Sequence, residues 1–173
     1  MGLSPVKHIL TYLHFTKGNV VQRIMHDIKY KNNPQLGELM GFYYGLDLNN
    51  AGFSKEFDLI TSVPLHQKRL KERGYNQSDF IAKGLSKGLA IPFEPNLIAR
   101  IIYTDTQITK SKMNRFANMD NVFQVHDAPK ILGKRILLVD DTLTTSATLS
   151  SCANILWKAA AAEVSVMALA SVD

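Results

Sequence analysis

Hydrophobic residues along this chain fall either into short continuous runs or into stripes of helical spacing, and the clearest run is Ile136, Leu137, Leu138 and Val139. Four branched apolar residues in a row suit a strand buried on both faces of a parallel sheet. The run gives way to Asp140 and Asp141, where the strand is expected to meet solvent, and then to the hydroxyls of Thr142, Thr144, Thr145, Ser146 and Thr148. Leu149, Cys152, Ala153, Leu156 and Ala160 follow at helical spacing. The pattern predicts strand, loop, helix. Residues 163–172 (EVSVMALASV) predict a further strand, completing a unit whose crossover is expected to be right-handed.

Upstream, Val20, Val21, Ile24, Met25 and Ile28 form a helical stripe closed by the polar segment 29–33, and Leu36, Leu39, Met40, Tyr43 and Leu46 predict a second helix from Pro34. Residues 57–63 (FDLITSV) have strand composition and stop at Pro64, which cannot continue a central ladder. A loop around Gly74 carrying Arg69, Arg73, Asn76 and Gln77 should then lead into a helix with core positions Phe80, Ile81, Leu85 and Leu89. Residues 97–102 are a second strand candidate, followed by a long polar stretch, TDTQITKSKMNRFANMDNVF, that reads as a lid or binding loop anchored by Phe116 and Phe123. Residues 1–18 show little periodicity and are given no element. The expectation is α/β: a mainly parallel twisted sheet flanked by helices, in one domain of 173 residues.

Composition changes this picture little: 46% hydrophobic and 20% charged residues suit a globular domain that folds alone. No apolar run approaches membrane-spanning length and MGLSPVKHIL lacks the apolar core of a signal peptide, so a cytoplasmic protein with no membrane partner is expected. Cys152 is the one cysteine, which excludes an intrachain disulfide and a multi-cysteine zinc site, and its place on an apolar stripe makes it a core residue. The five histidines show no ligand spacing.

Charge is more informative. The formal net charge is +5, yet residues 66–115 hold ten Lys/Arg against four Asp/Glu, a local +6. Positive charge concentrated in the middle third favours an anionic ligand there, with a solvated helix face as the plainer alternative.

Backbone N–H groups and hydroxyls at the start of a helix suit a phosphate monoester, whereas carboxylates repel phosphate but accept hydrogen bonds from sugar hydroxyls. An acid pair beside a hydroxyl-rich helix start therefore reads as a ribose 5-phosphate site. Arg guanidinium forks suit phosphate oxygens, so the loop after the first strand, with Arg69 and Arg73, is a candidate pyrophosphate contact against the alternative of a solvated basic turn. Lys110, Lys112 and Arg115 on the long polar stretch could neutralise a leaving group. No GxxxxGK[ST] or GxGxxG occurs, so nucleoside-triphosphatase and dinucleotide readings have no support.

The run ILLVDDTLTTSAT resembles the phosphoribosyl-pyrophosphate (PRPP) motif of type I phosphoribosyltransferases. The resemblance implies Asp140 and Asp141 as the catalytic acids on the ribose 2′ and 3′ hydroxyls. It implies Thr142, Thr144, Thr145, Ser146, Ala147 and Thr148 as the 5-phosphate loop, with Ser146 where the family usually has Gly. The segments SVPLHQKRLKERGYNQSDFIAKGLS, TDTQITKSKMNRFANMDNVF and IMHDIKYKNNPQLGELMG resemble the ComF/GntX family of competence-related, amidophosphoribosyltransferase-like proteins, with RGYNQ (Arg73 to Gln77) the most distinctive part. Many members begin with a four-cysteine zinc module, and this sequence contains none.

What the resemblance implies is a type I phosphoribosyltransferase fold with a hood region at 1–56 and a core at 57–173. PRPP, or a related sugar phosphate, would be the ligand, with Mg2+ bridged by the substrate. Pyrophosphate would lie against Pro64, Arg69, Arg73, Lys110, Lys112 and Arg115. The rival is a binding module that holds PRPP or a nucleotide, or DNA along the basic middle third, with a competence-machinery partner; a homodimer is a further expectation.

Overall fold

The structure, a computed structural model, describes residues 5–16, 18–102, 122–144 and 147–172. Its centre is β5 (Arg135–Leu143), in which the apolar run lies. Successive side chains of a strand point to opposite faces, and here both faces are covered. Leu137 and Val139 pack into a layer with Val21, Ile28, Ile81 and Leu85, while Ile136 and Leu138 pack with Leu149, Cys152, Ala153 and Leu156. Each of the valine, leucine and isoleucine side chains among these contributes roughly 1.5–3 kcal/mol of hydrophobic burial.

β5 pairs in parallel with β2 (Leu59–Ser62) on one side and β6 (Glu163–Val172) on the other, and β6 pairs in parallel with β1 (Ile9–Phe15), giving the order β1-β6-β5-β2. Residues 92–94 add a short parallel bridge outside β2, where the Ile60 N–H donates to Pro92 O at 2.9 Å and the Glu94 N–H to Ile60 O at 2.9 Å. On one face lie α1 (Val20–Tyr30), α2 (Pro34–Asn50) and α4 (Gln77–Leu89), and on the other α6 (Ala147–Lys158). Between them in chain order come the seven-residue α3 (Gln67–Arg73), the antiparallel pair β3 (Ile98–Arg100) and β4 (Phe123–Val125), and the short α5 (Ala128–Ile131). The α/β architecture with a parallel sheet flanked by helices is the one the sequence predicts.

Several local expectations are corrected. Residues 9–15, given no element, form an edge strand whose partner lies more than 150 residues away in sequence. Residues 67–73 are helical rather than loop; Gly74, at φ 81°, ends α3 by returning its N–H to Leu70 O at 2.8 Å, a left-handed cap that glycine adopts without strain. Residues 98–100 pair with 123–125, outside the main sheet. Ala160 lies beyond α6 with φ 62°. In α2 the expected apolar stripe is not the buried one: Leu39 and Tyr43 are 49% and 52% exposed, and the covered face is Gly37, Gly41, Tyr44, Gly45 and Leu48. Finally β5 does not stop at Asp140, because Asp140 sits opposite Ala168 and Thr142 opposite Ala170 in the ladder with β6.

Candidate functional site

The carboxyl ends of the parallel strands are where an open α/β sheet leaves a crevice for a ligand. At that end of β5, Asp140 and Asp141 are partly buried, and each is held by a different helix. Ser78, in the first turn of α4, donates its hydroxyl to Asp140 Oδ1 at 3.0 Å, and the same oxygen accepts the Asp141 backbone N–H at 2.8 Å. Lys29, in the last turn of α1, places Nζ 3.2 Å from Asp141 Oδ1 and donates to Thr142 Oγ1 at 3.0 Å. Two helices far from the acidic pair in sequence, α1 and α4, thus converge on it.

Burial and the neighbouring charge of Asp141 push the Asp140 carboxyl up to about 7, against the pull of the Asp141 N–H, the Ser78 hydroxyl and the Lys29 ammonium. Asp140 is therefore balanced between its charged and neutral forms near neutral pH. Below it, Cys152 is fully buried on α6, and burial together with the charge of Asp140 holds its thiol in the protonated form, as suits a core residue.

The segment Arg73 to Gln77 ties these helices together. The Arg73 guanidinium lies 5.4 Å from the centre of the Tyr30 ring, and the Tyr75 hydroxyl donates to Ile28 O at 2.7 Å. Asn76 caps α4 by accepting the Ser78 N–H, and its amide donates to Val63 O at 3.0 Å and Asp79 Oδ1 at 2.8 Å. Ser62 donates to the same Asp79 Oδ1 at 2.5 Å, and burial raises the Asp79 carboxyl in spite of both bonds. Gln77 is 1% exposed, and its amide nitrogen has no partner among the described residues. Most of this signature consequently serves to fix the start of α4, and with it Ser78, against the end of β5.

Pro64, at the exit from β2, lines a small cleft of about 50 Å3 with Ser62, Leu65, Leu70, Asn76, Asp79, Asn96 and Ile98. Arg69 is partly buried on α3, one turn before Arg73. Of the expected phosphate loop, Thr142 lies beside the acids, Thr144 is exposed just past β5, and Ala147 and Thr148 open α6. Thr145, Ser146, Lys110, Lys112 and Arg115 lie outside the described residues, as does Phe116, whereas Phe123 is buried in the core as expected. Two residues that the sequence reading did not assign to the site are in direct contact with it, Lys29 and Ser78. The signal for the first was present in the IKYK segment, and for the second in the hydroxyl directly after RGYNQ.

No helix among the described residues is long and apolar enough to cross a membrane, and among the same residues no group of three His, Cys, Asp or Glu could hold a metal ion.

No family model matches the chain. Among curated proteins it is similar to the Competence protein F of Haemophilus influenzae, 36% identical over 65% of this chain and 50% of that protein. It is also similar to the DNA utilization protein YhgH of Escherichia coli K12, 30% identical over 84% of this chain and 65% of that protein, and to the Competence protein ComFC of Bacillus subtilis, 26% identical over 90% and 61%. The chain thus spans half to 65% of the length of these relatives. Among solved structures, the allosteric regulatory enzyme of purine biosynthesis superposes on 82% of the chain and 29% of that enzyme with a TM-score of 0.54 at 19% identity, a likeness of fold alone. The fold is that of the type I phosphoribosyltransferases.

Proposed function

Since this chain belongs to the ComF family and carries a type I phosphoribosyltransferase fold, we propose that it binds PRPP and transfers the phosphoribosyl group to an acceptor. The observation that carries this reading is the adjacent pair Asp140 and Asp141 at the carboxyl end of β5, followed within seven residues by hydroxyls leading into the start of α6.

In this reading Asp140 and Asp141 accept the ribose 2′ and 3′ hydroxyls, and Thr142, Thr144, Thr145, Ser146, Ala147 and Thr148 hold the 5-phosphate with hydroxyls and helix-terminal N–H groups. In this reading pyrophosphate lies toward Pro64, Arg69 and Arg73, and the cations Lys110, Lys112 and Arg115 offset its charge. Displacement at C1 breaks the bond to pyrophosphate as the acceptor bonds to the same carbon, through an oxocarbenium-like transition state. The residues' tasks are to fix the sugar and to receive the charge that develops on the leaving group.

The hard carboxylate oxygens of Asp140 and Asp141 fit Mg2+, and these residues would face an ion brought in with the substrate. When bound, Mg2+ supplies countercharge to pyrophosphate.

The test is calorimetric titration of PRPP with Mg2+ into the protein and into an Asp140→Asn, Asp141→Asn double variant, followed by a pyrophosphate-release assay across acceptors. Binding lost in the variant and release with one acceptor support the transferase. Absence of binding by the intact protein sinks it.

A second reading, a DNA-binding module, is favoured by the four cations Lys68, Arg69, Lys71 and Arg73 within the seven residues of α3, and by relatives named for competence and DNA utilization. It requires DNA affinity that falls steeply with added salt.

A further inference from the structure

Lys29 reaches the acidic pair from outside the motif. It stands in the last turn of α1, where the helix dipole favours a cation, and its ammonium is shared between Asp141 Oδ1 at 3.2 Å and Thr142 Oγ1 at 3.0 Å. Its side chain is 24% exposed and that of Asp141 16%, so bulk salt screens this pair less than a surface one. Thr142, still within β5, is also the first of the hydroxyls that follow the acids. The ammonium therefore sits at the junction between the acids suited to sugar hydroxyls and the hydroxyls suited to phosphate.

An anionic ligand entering this site meets two adjacent carboxylates. Unless their charge is cancelled, they repel it, and the cancelling charge can come either from a divalent cation carried in with the ligand or from the protein itself. Resting on the sugar-phosphate reading of the site, we propose that Lys29 is a specificity-determining residue: it is the protein's own counter-cation for Asp141, and it lets the acidic pair admit an anionic sugar phosphate without a divalent ion. The same contact makes Lys29 a competitor of free divalent cations for Asp141.

Two measurements test this, one with the sugar and one without. Ribose 5-phosphate, a monoester with no pyrophosphate to chelate a metal, is titrated into wild type, Lys29→Met and Lys29→Arg in EDTA and in Mg2+. Wild type should bind within about threefold equally in the two buffers, Lys29→Met should lose about tenfold or more in EDTA and regain most of it in Mg2+, and Lys29→Arg should behave as wild type. An equal loss by Lys29→Met in both buffers, or no loss, overturns the proposal.

The second measurement follows Mn2+ binding by electron paramagnetic resonance with no sugar present. Lys29→Met should bind Mn2+ about fivefold or more tightly than wild type, and a Lys29→Met, Asp141→Asn double variant should lose that gain. Unchanged Mn2+ affinity in Lys29→Met overturns the proposal even if the sugar-phosphate reading stands. If the intact protein fails to bind ribose 5-phosphate or PRPP in either buffer, that reading fails, and the Mn2+ result alone decides whether Lys29 guards the acids. Circular dichroism and thermal unfolding of Lys29→Arg and Lys29→Met separate these effects from misfolding.

Discussion

Ser78 on α4 donates its hydroxyl to Asp140 on β5 at 3.0 Å, so the first turn of one helix helps to hold the charge of a carboxylate 62 positions further along the chain. Removing that donor leaves the ionised form of Asp140 with the Asp141 N–H and the field of Lys29. A hydrogen bond to a charged group contributes about 1.5–3 kcal/mol. Ser78→Ala should therefore move the Asp140 midpoint above its present value of about 7. On the proposed sugar-phosphate function, affinity at pH 7 should fall about three- to tenfold, recovering as pH is raised. Affinity measured against pH for both proteins checks this, and coincident profiles would remove Ser78 from the site.

Asp140 also makes stability depend on pH with an unusual sign. Its folded pKa, about 7, lies above the ordinary carboxyl value of 3.8, so between about pH 4 and pH 7 the native state binds more protons than the unfolded chain. The contribution of this group is fully present below about pH 4 and is lost as pH rises through 7. Asp140→Asn, which cannot ionise, should match wild type near pH 4 and be more stable by roughly 1–3 kcal/mol at pH 8. Urea unfolding at the two pH values gives the answer; equal stability at pH 8 would mean that Asp140 is not strained by its charge.

The contrast between Asp140 and its partners shows which parts of this molecule were legible in the sequence. The acids themselves stood out because their surroundings are local: an apolar run buried on both faces, then acids, hydroxyls and a helix, all within about two dozen residues. β6 was legible to its ends for the same reason. Lys29 and Ser78 were not assigned, because they meet the acids only through tertiary packing of α1 and α4 on the sheet, which no local pattern encodes. β1 was missed on similar grounds: its strand identity comes from pairing with β6, and Ile9 is 56% exposed at the sheet edge, so its apolar residues carry no clean alternation. The α2 stripe misled because Gly37, Gly41 and Gly45, which hydrophobic periodicity does not count, share the buried face with Tyr44 and Leu48.

At the opposite end of the strands, Asp58 and Arg135 give the ordinary carboxylate sign. Asp58 accepts the Arg135 backbone N–H at 2.8 Å and two guanidinium bonds at 3.1 and 2.7 Å, and these hydrogen bonds hold its carboxyl down at about 2. A depressed folded pKa stabilises above the unfolded value near 4, and that gain disappears as pH falls through 2. After allowance for partial exposure, Asp58→Asn should cost about 1 kcal/mol at pH 7. Denaturant unfolding should show the variant and wild type converging near pH 2, and a gap that persists there would point to packing rather than charge.

The crossing of α2 and α4 makes the sharpest structural prediction, because it rests on absent side chains. Gly41 and Gly45 of α2 face Gly84 and Gly88 of α4, so the two backbones approach without side chains between them; a Cβ at Gly45 would stand 2.9 Å from Leu85 O and one at Gly88 2.5 Å from Phe42 O. A Cβ on Gly84 would overlap the Glu38 carbonyl oxygen and the Phe42 N–H, both rigid backbone groups. Gly84→Ala should consequently force the helices apart and cost about 3 kcal/mol or more, beyond what alanine's better helix propensity returns. Gly37 is the control, since a Cβ there meets only side-chain atoms at 3.4 Å and beyond, so Gly37→Ala should be neutral or stabilising by up to about 1 kcal/mol. Because α4 carries Ser78 and the Asn76 cap, the Gly84 variant should also weaken ligand binding at a temperature where it is still folded. Equal unfolding midpoints for the Gly84 and Gly37 variants would show that the close crossing does not hold α4 in place.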